Sequence, residues 1–190
     1  RRSGEAERIN AVVLNAYIHA KLVRLLYKAG EELRQRLYRK SLFVVHNNGA
    51  VARVAKTRAI NTYNSGPAAG LLGARLIGRL YKVNDLISVD MGGTSFDLGY
   101  VRQGQASYTL KPDVEGFPVN IPMMSIRAIG AGGGSIASVK KGNLQVGPQS
   151  AGALPGPVCF DLGGTEPTVT DADLVLGILD PDYFLGGEMK

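Results

Sequence analysis

Cysteine is nearly absent from this sequence, since Cys159 is the single one among 190 residues. That scarcity excludes an internal disulfide framework and favours a reducing, cytoplasmic location. No uninterrupted apolar run reaches the roughly 20 residues of a membrane-spanning helix. A signal peptide is also missing, because the chain opens on Arg1-Arg2-Ser3-Gly4-Glu5 and continues into a charged helical pattern. We therefore predict a cytoplasmic protein without a membrane partner.

The overall composition is that of an ordinary folded protein. Hydrophobic residues make up 45% and charged residues 20% of the chain, and its length suffices for one domain with a core. The net charge of +6 is uneven, because the basic excess lies in the first third and the remainder is mildly acidic. A basic region can bind an anionic partner, but neither an aromatic platform nor a nucleic-acid motif accompanies it. We favour a solvated helix face and predict no nucleic-acid partner.

The first half of the chain predicts two helices and a strand. Apolar residues recur at helical spacing over residues 5–38, as one long helix or as a pair broken at Gly30. The apolar run 42–45 predicts a buried strand that leads into a turn. A second helix is predicted from Ser65, which can cap it, to a point near Tyr81. Its first half consists almost entirely of small residues, which let another backbone approach closely.

The middle of the chain predicts strands. Segments 86–89, 95–101 and 106–110 are three consecutive strands joined by short turns, which is an antiparallel meander. Lys141-Gly142-Asn143 is typical of a hairpin turn, and residues 147–164 are predicted as a long loop.

The last predicted element is a helix capped by Thr170. Asp171 and Asp173 fall in its first turn, where acids interact favourably with the helix dipole. Capping is therefore a better explanation of these two acids than catalysis. Two other reactive side chains stay open: Cys159 is a candidate nucleophile or metal ligand but more plausibly a buried structural thiol, and His46 can face a site from its turn.

The strongest chemical signal is Val89-Asp90-Met91-Gly92-Gly93-Thr94-Ser95-Phe96-Asp97. A predicted buried strand delivers Asp90 to its end, and two glycines then let the backbone turn sharply and direct several N–H groups to one point. Thr94 adds a hydroxyl. Such a turn can hold a phosphate while the carboxylate holds Mg²⁺ or its waters, although an ordinary Gly-Gly hairpin beside a surface acid has the same pattern.

The run Gly130-Ala131-Gly132-Gly133-Gly134 and the following Ser135 allow two interpretations. Their backbone N–H groups can bind phosphate or a substrate oxyanion. Alternatively, the glycines permit a tight crossing of two backbones. The sequence favours neither.

The helix that precedes Asp90 supports the phosphate interpretation. It contains Asn64-Ser65-Gly66-Pro67-Ala68-Ala69-Gly70, about twenty residues before the acid. The large heat-shock chaperone ATPases are similar, with a Pro-Ala-Ala-rich helix, a strand and then Asp-Leu-Gly-Gly-Gly-Thr-Phe-Asp. This resemblance points to the second phosphate motif of the actin-like ATPase fold.

Further motifs follow one another along nearly the whole chain. They are Asn15-Ala16-Tyr17, Ser65-Gly66-Pro67-Ala68-Ala69-Gly70, Ile129-Gly130-Ala131-Gly132-Gly133-Gly134-Ser135-Ile136-Ala137, Val146-Gly147-Pro148-Gln149-Ser150-Ala151-Gly152-Ala153, Pro155-Gly156-Pro157-Val158-Cys159, Pro167-Thr168-Val169-Thr170-Asp171-Ala172 and Phe184-Leu185-Gly186-Gly187. Together they resemble the hydantoinase A/oxoprolinase family, which includes hydantoinases, oxoprolinases and the ketone carboxylases for acetone and acetophenone. Several long motifs in order are more specific than any one of them.

The resemblance implies a fold and an activity. The fold would be an α/β, actin-like (ribonuclease H-like) ATPase lobe with a mixed sheet, an antiparallel meander and flanking helices. The activity would be ATP-dependent activation of a carbonyl-type oxygen, in cyclic amide hydrolysis or ketone carboxylation, with Mg²⁺ or Mn²⁺ as the metal. The expected partners are a small carbonyl substrate and a second, hydantoinase B-like subunit or domain in a hetero-oligomer.

The predicted site follows from the turn and the resemblance together. Asp90 and Asp97 are the predicted catalytic residues, with Asp90 at the metal. The predicted cofactor-binding residues are Gly92, Gly93, Thr94, Ser95, Gly132, Gly133 and Gly134.

The sequence departs from the family's motifs in three places, and two further motifs of the family are not found in it. Where the family has Ser-Asn-Gly-Gly, a second Thr in the phosphate turn and Tyr-Gly, this chain has His46-Asn47-Asn48-Gly49-Ala50, Phe96 and Phe160-Asp161. The family's first phosphate motif and its adenine-contacting motif are expected outside residues 1–190, so we expect a central segment, a partial domain. A non-catalytic actin-like scaffold or chaperone-type regulatory ATPase is the alternative function, and the retention of both Asp90 and Asp97 argues against it.

Overall fold

A computed structural model describes residues 4–187, and Arg1, Arg2 and Ser3 lie outside the described residues. The chain divides into two compact units. Unit 1 contains the residues up to Ser88 together with Gly99–Ile126, and unit 2 contains Val89–Leu98 and the residues from Arg127 onward. Helices and strands occur in both, so the α/β class is confirmed.

The strands are short and are joined mostly by tight turns. In chain order they are β1 Phe43–Val45, β2 Val51–Arg53, β3 Leu86–Met91, β4 Phe96–Arg102, β5 Gln105–Ala106, β6 Tyr108–Thr109, β7 Asp113–Val114, β8 Phe117–Pro118, β9 Met123–Met124, β10 Ile126–Ile129, β11 Ser135–Lys140 and β12 Asn143–Ser150.

The predicted meander is only partly formed. The largest sheet has the order β10-β4-β3, and β5 pairs antiparallel with the last residues of β4. The third predicted strand, 106–110, is split, since β6 leaves this sheet and pairs antiparallel with β9. Small antiparallel pairs β1–β2 and β7–β8 complete unit 1.

Unit 1 begins with the longest helix, α1, Glu5–Gln35. Gly30 does not break it, because a glycine inside a long helix only weakens it by about 1 kcal/mol relative to alanine. Length and hydropathy would allow α1 to cross a membrane, since one 18-residue stretch reaches a mean hydropathy of 1.2. That stretch is not buried in the described structure, and a helix near the N-terminus that passes this test is weak evidence for a span.

The second helix, α2, covers Ser65–Leu80 and ends at Tyr81 as predicted. Its N-cap is Asn64 rather than Ser65, with a left-handed backbone and no side-chain capping bond. Of its small residues, Ala68 is fully buried, whereas the Cβ position of Gly73 has no neighbour within 4 Å in the described structure. Another backbone approaches the helix closely at Gly78, where a Cβ would lie 2.9 Å from the Val83 carbonyl oxygen and 2.6 Å from the Leu86 side chain.

Two apolar clusters stabilise unit 1. The first joins α2 to β4, β5 and β9 through Ala68, Leu71, Val101, Ala106 and Met124. The second consists of Val114, Val119 and Met123, against which α1 packs through Ala11 and Leu14.

Unit 2 contains a hairpin, a long loop and a short helix. Strands β11 and β12 pair antiparallel through the two-residue turn Lys141-Gly142, which confirms the predicted hairpin. Because β12 extends to Ser150, the loop begins later than predicted, and it includes a single 3-10 turn at Val158–Phe160. The helix α3, Val169–Val175, is capped by Thr168 and not by Thr170, and Asp173 lies beyond its first turn.

Candidate functional site

The predicted phosphate turn lies in unit 2, at the point where β3 ends. The backbone N–H of Gly92 donates to the carbonyl of Ser95 at 2.9 Å, so Gly92 to Ser95 form a tight turn. Asp90 lies within β3 and its side chain is exposed, as is Val89 at 60%. The prediction of a buried strand is therefore wrong for the described structure, although the acid does stand immediately before the turn.

The turn leaves donors and space on its open side. Within unit 2 as described, the N–H groups of Gly93 and Thr94 donate to no protein oxygen. A Cβ added to Gly93 would meet nothing within 4 Å, and one added to Gly92 would only touch the Ser95 carbonyl at 3.8 Å. Neither glycine has a positive φ. The protein itself thus does not require glycine at 93, and the vacant space is of the kind that a bound group fills.

Asp97 is half-buried in β4 and is oriented by a neighbour. The hydroxyl of Ser95 donates to its carboxylate at 3.1 Å. The contact holds the Ser95 hydroxyl toward β4, so two predicted site residues interact directly.

The glycine run lies directly against the turn. The N–H of Gly133 donates to the carbonyl of Gly92 at 2.9 Å, and the N–H of Gly134 donates to that of Gly93 at 2.7 Å. A Cβ on Gly132 would lie 2.7 Å from the Gly92 oxygen and from the backbone of Gly93 and Thr94. No side chain fits in that space.

This geometry is the backbone crossing that the sequence left open as one of two interpretations. Because the N–H groups of Gly133 and Gly134 already have protein acceptors, they are not free donors here. The N–H of Gly132 is also occupied, since it donates to the Ser135 hydroxyl at 2.8 Å. Ligand binding by these three glycines stays a prediction, and their observed contact is with the turn.

The start of α3 contacts the other side of the glycine run. The carbonyl of Gly133 accepts both the N–H of Thr170, at 2.8 Å, and its hydroxyl, at 2.9 Å. The sequence singled out Thr170 as a helix cap, and its actual partner, 37 residues earlier, has no signal in local patterns.

Asp171 fixes this end of α3. With Thr168 it forms a capping box, and it also accepts the N–H of Cys159 at 2.7 Å and the N–H of Val158 at 3.3 Å. Burial alone would raise the pKa of Asp171, but the accepted hydrogen bonds, led by that from Cys159, outweigh it and lower the pKa to about 2. A structural role for this acid, as favoured from the sequence, agrees with these contacts.

The two other reactive side chains have structural surroundings. Burial, with the nearby Asp171 carboxylate, raises the pKa of the Cys159 thiol to about 11, so the thiol stays protonated and poorly nucleophilic at neutral pH. His46 is buried in unit 1, where its Nε2 lies 3.2 Å from the Thr57 hydroxyl.

The donor set suits a magnesium ion bound largely through phosphate. Among the described residues, no group of three or more His, Cys, Asp or Glu side chains could hold a metal by itself. Mg²⁺ usually binds through one or two carboxylates together with substrate phosphates and waters. An exposed carboxylate at Asp90, beside a turn with free N–H groups, fits that mode and does not fit a dedicated protein cage.

Comparison with known proteins gives a family and several relatives. The family model described as hydantoinase/oxoprolinase matches residues 8–190. The gamma subunit of acetophenone carboxylase from Aromatoleum aromaticum is 43% identical over 189 residues, which are 98% of this chain and 26% of that subunit.

Two solved structures share the fold. A nucleotide-free acetone carboxylase, solved in work on ATP-dependent acetone carboxylation, matches with a TM-score of 0.89 and 29% identity over 100% of this chain and 27% of the other. The ATP-dependent caprolactamase from Pseudomonas jessenii matches with a TM-score of 0.71 and 39% identity over 95% of this chain and 26% of the other. The chain thus spans about a quarter of the length of the relatives it matches.

Proposed function

Because the chain belongs to the hydantoinase/oxoprolinase family, we propose that it is part of an enzyme subunit that uses ATP to activate a carbonyl-type oxygen. The substrate is a small ketone or a cyclic amide, as the names of the acetophenone carboxylase and caprolactamase relatives suggest. The subunit works in a hetero-oligomer with a hydantoinase B-like partner. A cytoplasmic location belongs to the same proposal.

The observation that carries the proposal is the open turn after Asp90. The free N–H groups of Gly93 and Thr94, with the Thr94 hydroxyl, form a cradle for a terminal phosphate. The Asp90 carboxylate is exposed beside it and holds Mg²⁺ or its waters. Actin-like topology, with further nucleotide contacts from outside this segment, is part of the proposal.

The chemistry expected of these residues is mainly positioning. Bound Mg·ATP supplies a transferable phosphoryl group, which turns a poor leaving oxygen into a good one. Backbone N–H groups directed at the phosphate stabilise charge without reorganising during the reaction. Asp97 and Ser95 keep the far side of the turn in place through their 3.1 Å contact.

Gly132 to Gly134 have a supporting role in this proposal. The N–H groups of Gly133 and Gly134 donate to the carbonyls of Gly92 and Gly93, which leaves the N–H side of the turn free. They therefore set the geometry of the cradle by packing against its back, and no side chain could replace them there.

The test is Asp90→Asn in the full-length subunit assembled with its partners. Removing a carboxylate that organises the metal should lower ATP-dependent turnover at least about 100-fold. Folding should be unchanged because Asp90 is exposed. Turnover is measured as ADP release and product formation with a small ketone plus bicarbonate, and separately with a cyclic amide.

Asp182→Asn is the matched control, since Asp182 is also exposed and lies in unit 2. It loses the same charge and should retain wild-type turnover. Wild-type turnover in Asp90→Asn would refute the metal assignment. ATP hydrolysis that no carbonyl compound accelerates would favour the scaffold or chaperone-type alternative.

A further inference from the structure

Thr170 is the residue of unit 2 whose contacts are least explained by its place in the helix. It is the second residue of α3, a position whose N–H has no acceptor within the helix. Both of its donors nevertheless converge on one distant carbonyl, that of Gly133, at 2.8 and 2.9 Å. The hydroxyl thus adds a second hydrogen bond to a carbonyl that already satisfies the N–H of Thr170.

Gly133 contacts both Thr170 and the turn. Its carbonyl accepts from Thr170 and its N–H donates to Gly92, so one residue connects α3 to the back of the cradle. The spacing is tight, since a Cβ on Gly133 would lie 2.7 Å from the Thr170 hydroxyl oxygen. A side chain at Gly133 would therefore collide with the hydroxyl and break this contact.

The helix end that carries Thr170 is itself fixed. Thr168 is 2% exposed and forms the capping box with Asp171, which accepts further N–H groups from the 3-10 turn. The anchor is thus more rigid than a surface loop. Hydrogen bonds run without interruption from Asp171 through the start of α3 and Gly133 to Gly92.

We propose that Thr170 is a positioning residue for the phosphate turn, and that its hydroxyl holds the Gly133 carbonyl so that the Gly92-Gly93 turn keeps the geometry that binds nucleotide. The inference rests on the proposed function of that turn. Thr170 touches neither phosphate nor metal in this scheme and acts through Gly133 alone.

Three substitutions in the full-length subunit separate the hydroxyl from the bulk of the side chain. Thr170→Val keeps the shape but places a methyl group where the oxygen lies 2.9 Å from the carbonyl, which is too close for carbon. Thr170→Ala removes the hydroxyl without that clash. Thr170→Ser keeps the hydroxyl and loses only the methyl group.

The first measurement is amide hydrogen exchange without nucleotide, over peptides that cover residues 90–95 and 130–135. Exchange should be about tenfold faster in Thr170→Val and Thr170→Ala, the size expected for the loss of one partly buried hydrogen bond. Thr170→Ser should exchange like the wild type. Unchanged exchange in Val and Ala would refute the link between Thr170 and the turn.

The second measurement is affinity for a non-hydrolysable ATP analogue, by calorimetry, together with KM and kcat for ATP. The Val and Ala variants should bind about tenfold more weakly and show a higher KM for ATP, whereas Ser should rescue both. A merely structural role of the hydroxyl would lower the melting temperature of the Val and Ala variants and leave analogue affinity and KM per folded molecule unchanged.

The outcomes distinguish this inference from the proposed function. If Asp90→Asn is inactive while Thr170→Val binds the analogue normally, the cradle stands and the role of Thr170 is wrong. A second outcome is that exchange becomes faster in Thr170→Val while both Asp90→Asn and Thr170→Val bind the analogue normally. Thr170 would then contact the turn as described, but the turn would not bind phosphate. That result would overturn both the phosphate assignment and the positioning role of Thr170.

Discussion

Two glycines of unit 2 have very different surroundings. At the hairpin turn, Gly142 has a φ of +78° and no neighbour within 4 Å of where a Cβ would stand. At the back of the Asp90 turn, Gly132 has no positive φ, but a Cβ would lie 2.7 Å from three backbone atoms. The first glycine is needed for the shape of its own backbone and the second for the approach of another backbone.

Gly93 is a third case and makes the comparison useful for function. It has neither a positive φ nor a protein neighbour within 4 Å at its Cβ position. Neither reason therefore applies to it. That absence agrees with the proposal that the space at Gly93 is kept for a ligand.

The largest effect is expected from Gly132→Ala. The added Cβ must push apart the backbones of Gly92 to Thr94 and of the glycine run, because no flexible side chain can yield. Overpacking of this kind lowers the free energy of unfolding by roughly 1–3 kcal/mol. Urea unfolding of the full-length subunit and calorimetry with an ATP analogue should both show a loss, and wild-type behaviour in both would contradict the tight crossing.

Gly93→Val should separate binding from stability. The melting temperature should stay at the wild-type value because the Cβ position is open. Analogue affinity should fall at least about tenfold, equivalent to about 1.4 kcal/mol, since the side chain fills the cradle. Intact affinity would mean that the phosphates bind elsewhere, and a large drop in melting temperature would mean that this glycine resembles Gly132.

A smaller effect on stability is expected at Asp171, which fixes the end of α3 behind the glycine run. Its pKa is lowered from 3.8 to about 2 in the folded protein, so it contributes stability that is fully present above pH 4. That contribution is lost as the pH falls from about 4 to about 2. Urea unfolding of Asp171→Asn should show a loss of about 1–2 kcal/mol at neutral pH and a weaker pH dependence in that window. Asp173→Asn, which lies two residues away outside the capping box, should keep the wild-type profile.

The smallest effect is expected from Gly142→Asn. Asparagine tolerates a left-handed backbone and the surroundings are open, so the free energy of unfolding should change by less than about 0.5 kcal/mol. Gly142→Ala should lower it by about 1 kcal/mol, because alanine does not tolerate that backbone well. If asparagine were as harmful as Gly132→Ala, the distinction between the two turns would fail.

Local patterns predicted much of unit 2 and of the helices. The end of α2, the Lys141-Gly142 hairpin and the turn after Asp90 depend on residues close in sequence, so their signals are local. The errors arose where residues compete for one role. Thr168 and Thr170 both suit an N-cap. Asp171 stands three residues after Thr168, which is the spacing of a capping box and favours Thr168. The contact of Thr170 with Gly133 is distant in sequence and has no local signal.

The sequence by itself determined the family, through motifs in a fixed order, and the position of the candidate turn, since Asp90-Met91-Gly92-Gly93-Thr94 needs only its own neighbours to form. Only the tertiary structure decided that Gly132 to Gly134 lie against the backbone of this turn. A glycine carries no side chain that could indicate its partner. Whether its N–H faces a ligand or another carbonyl depends on which backbone lies within 3 Å, and here that backbone belongs to residues 41 positions away.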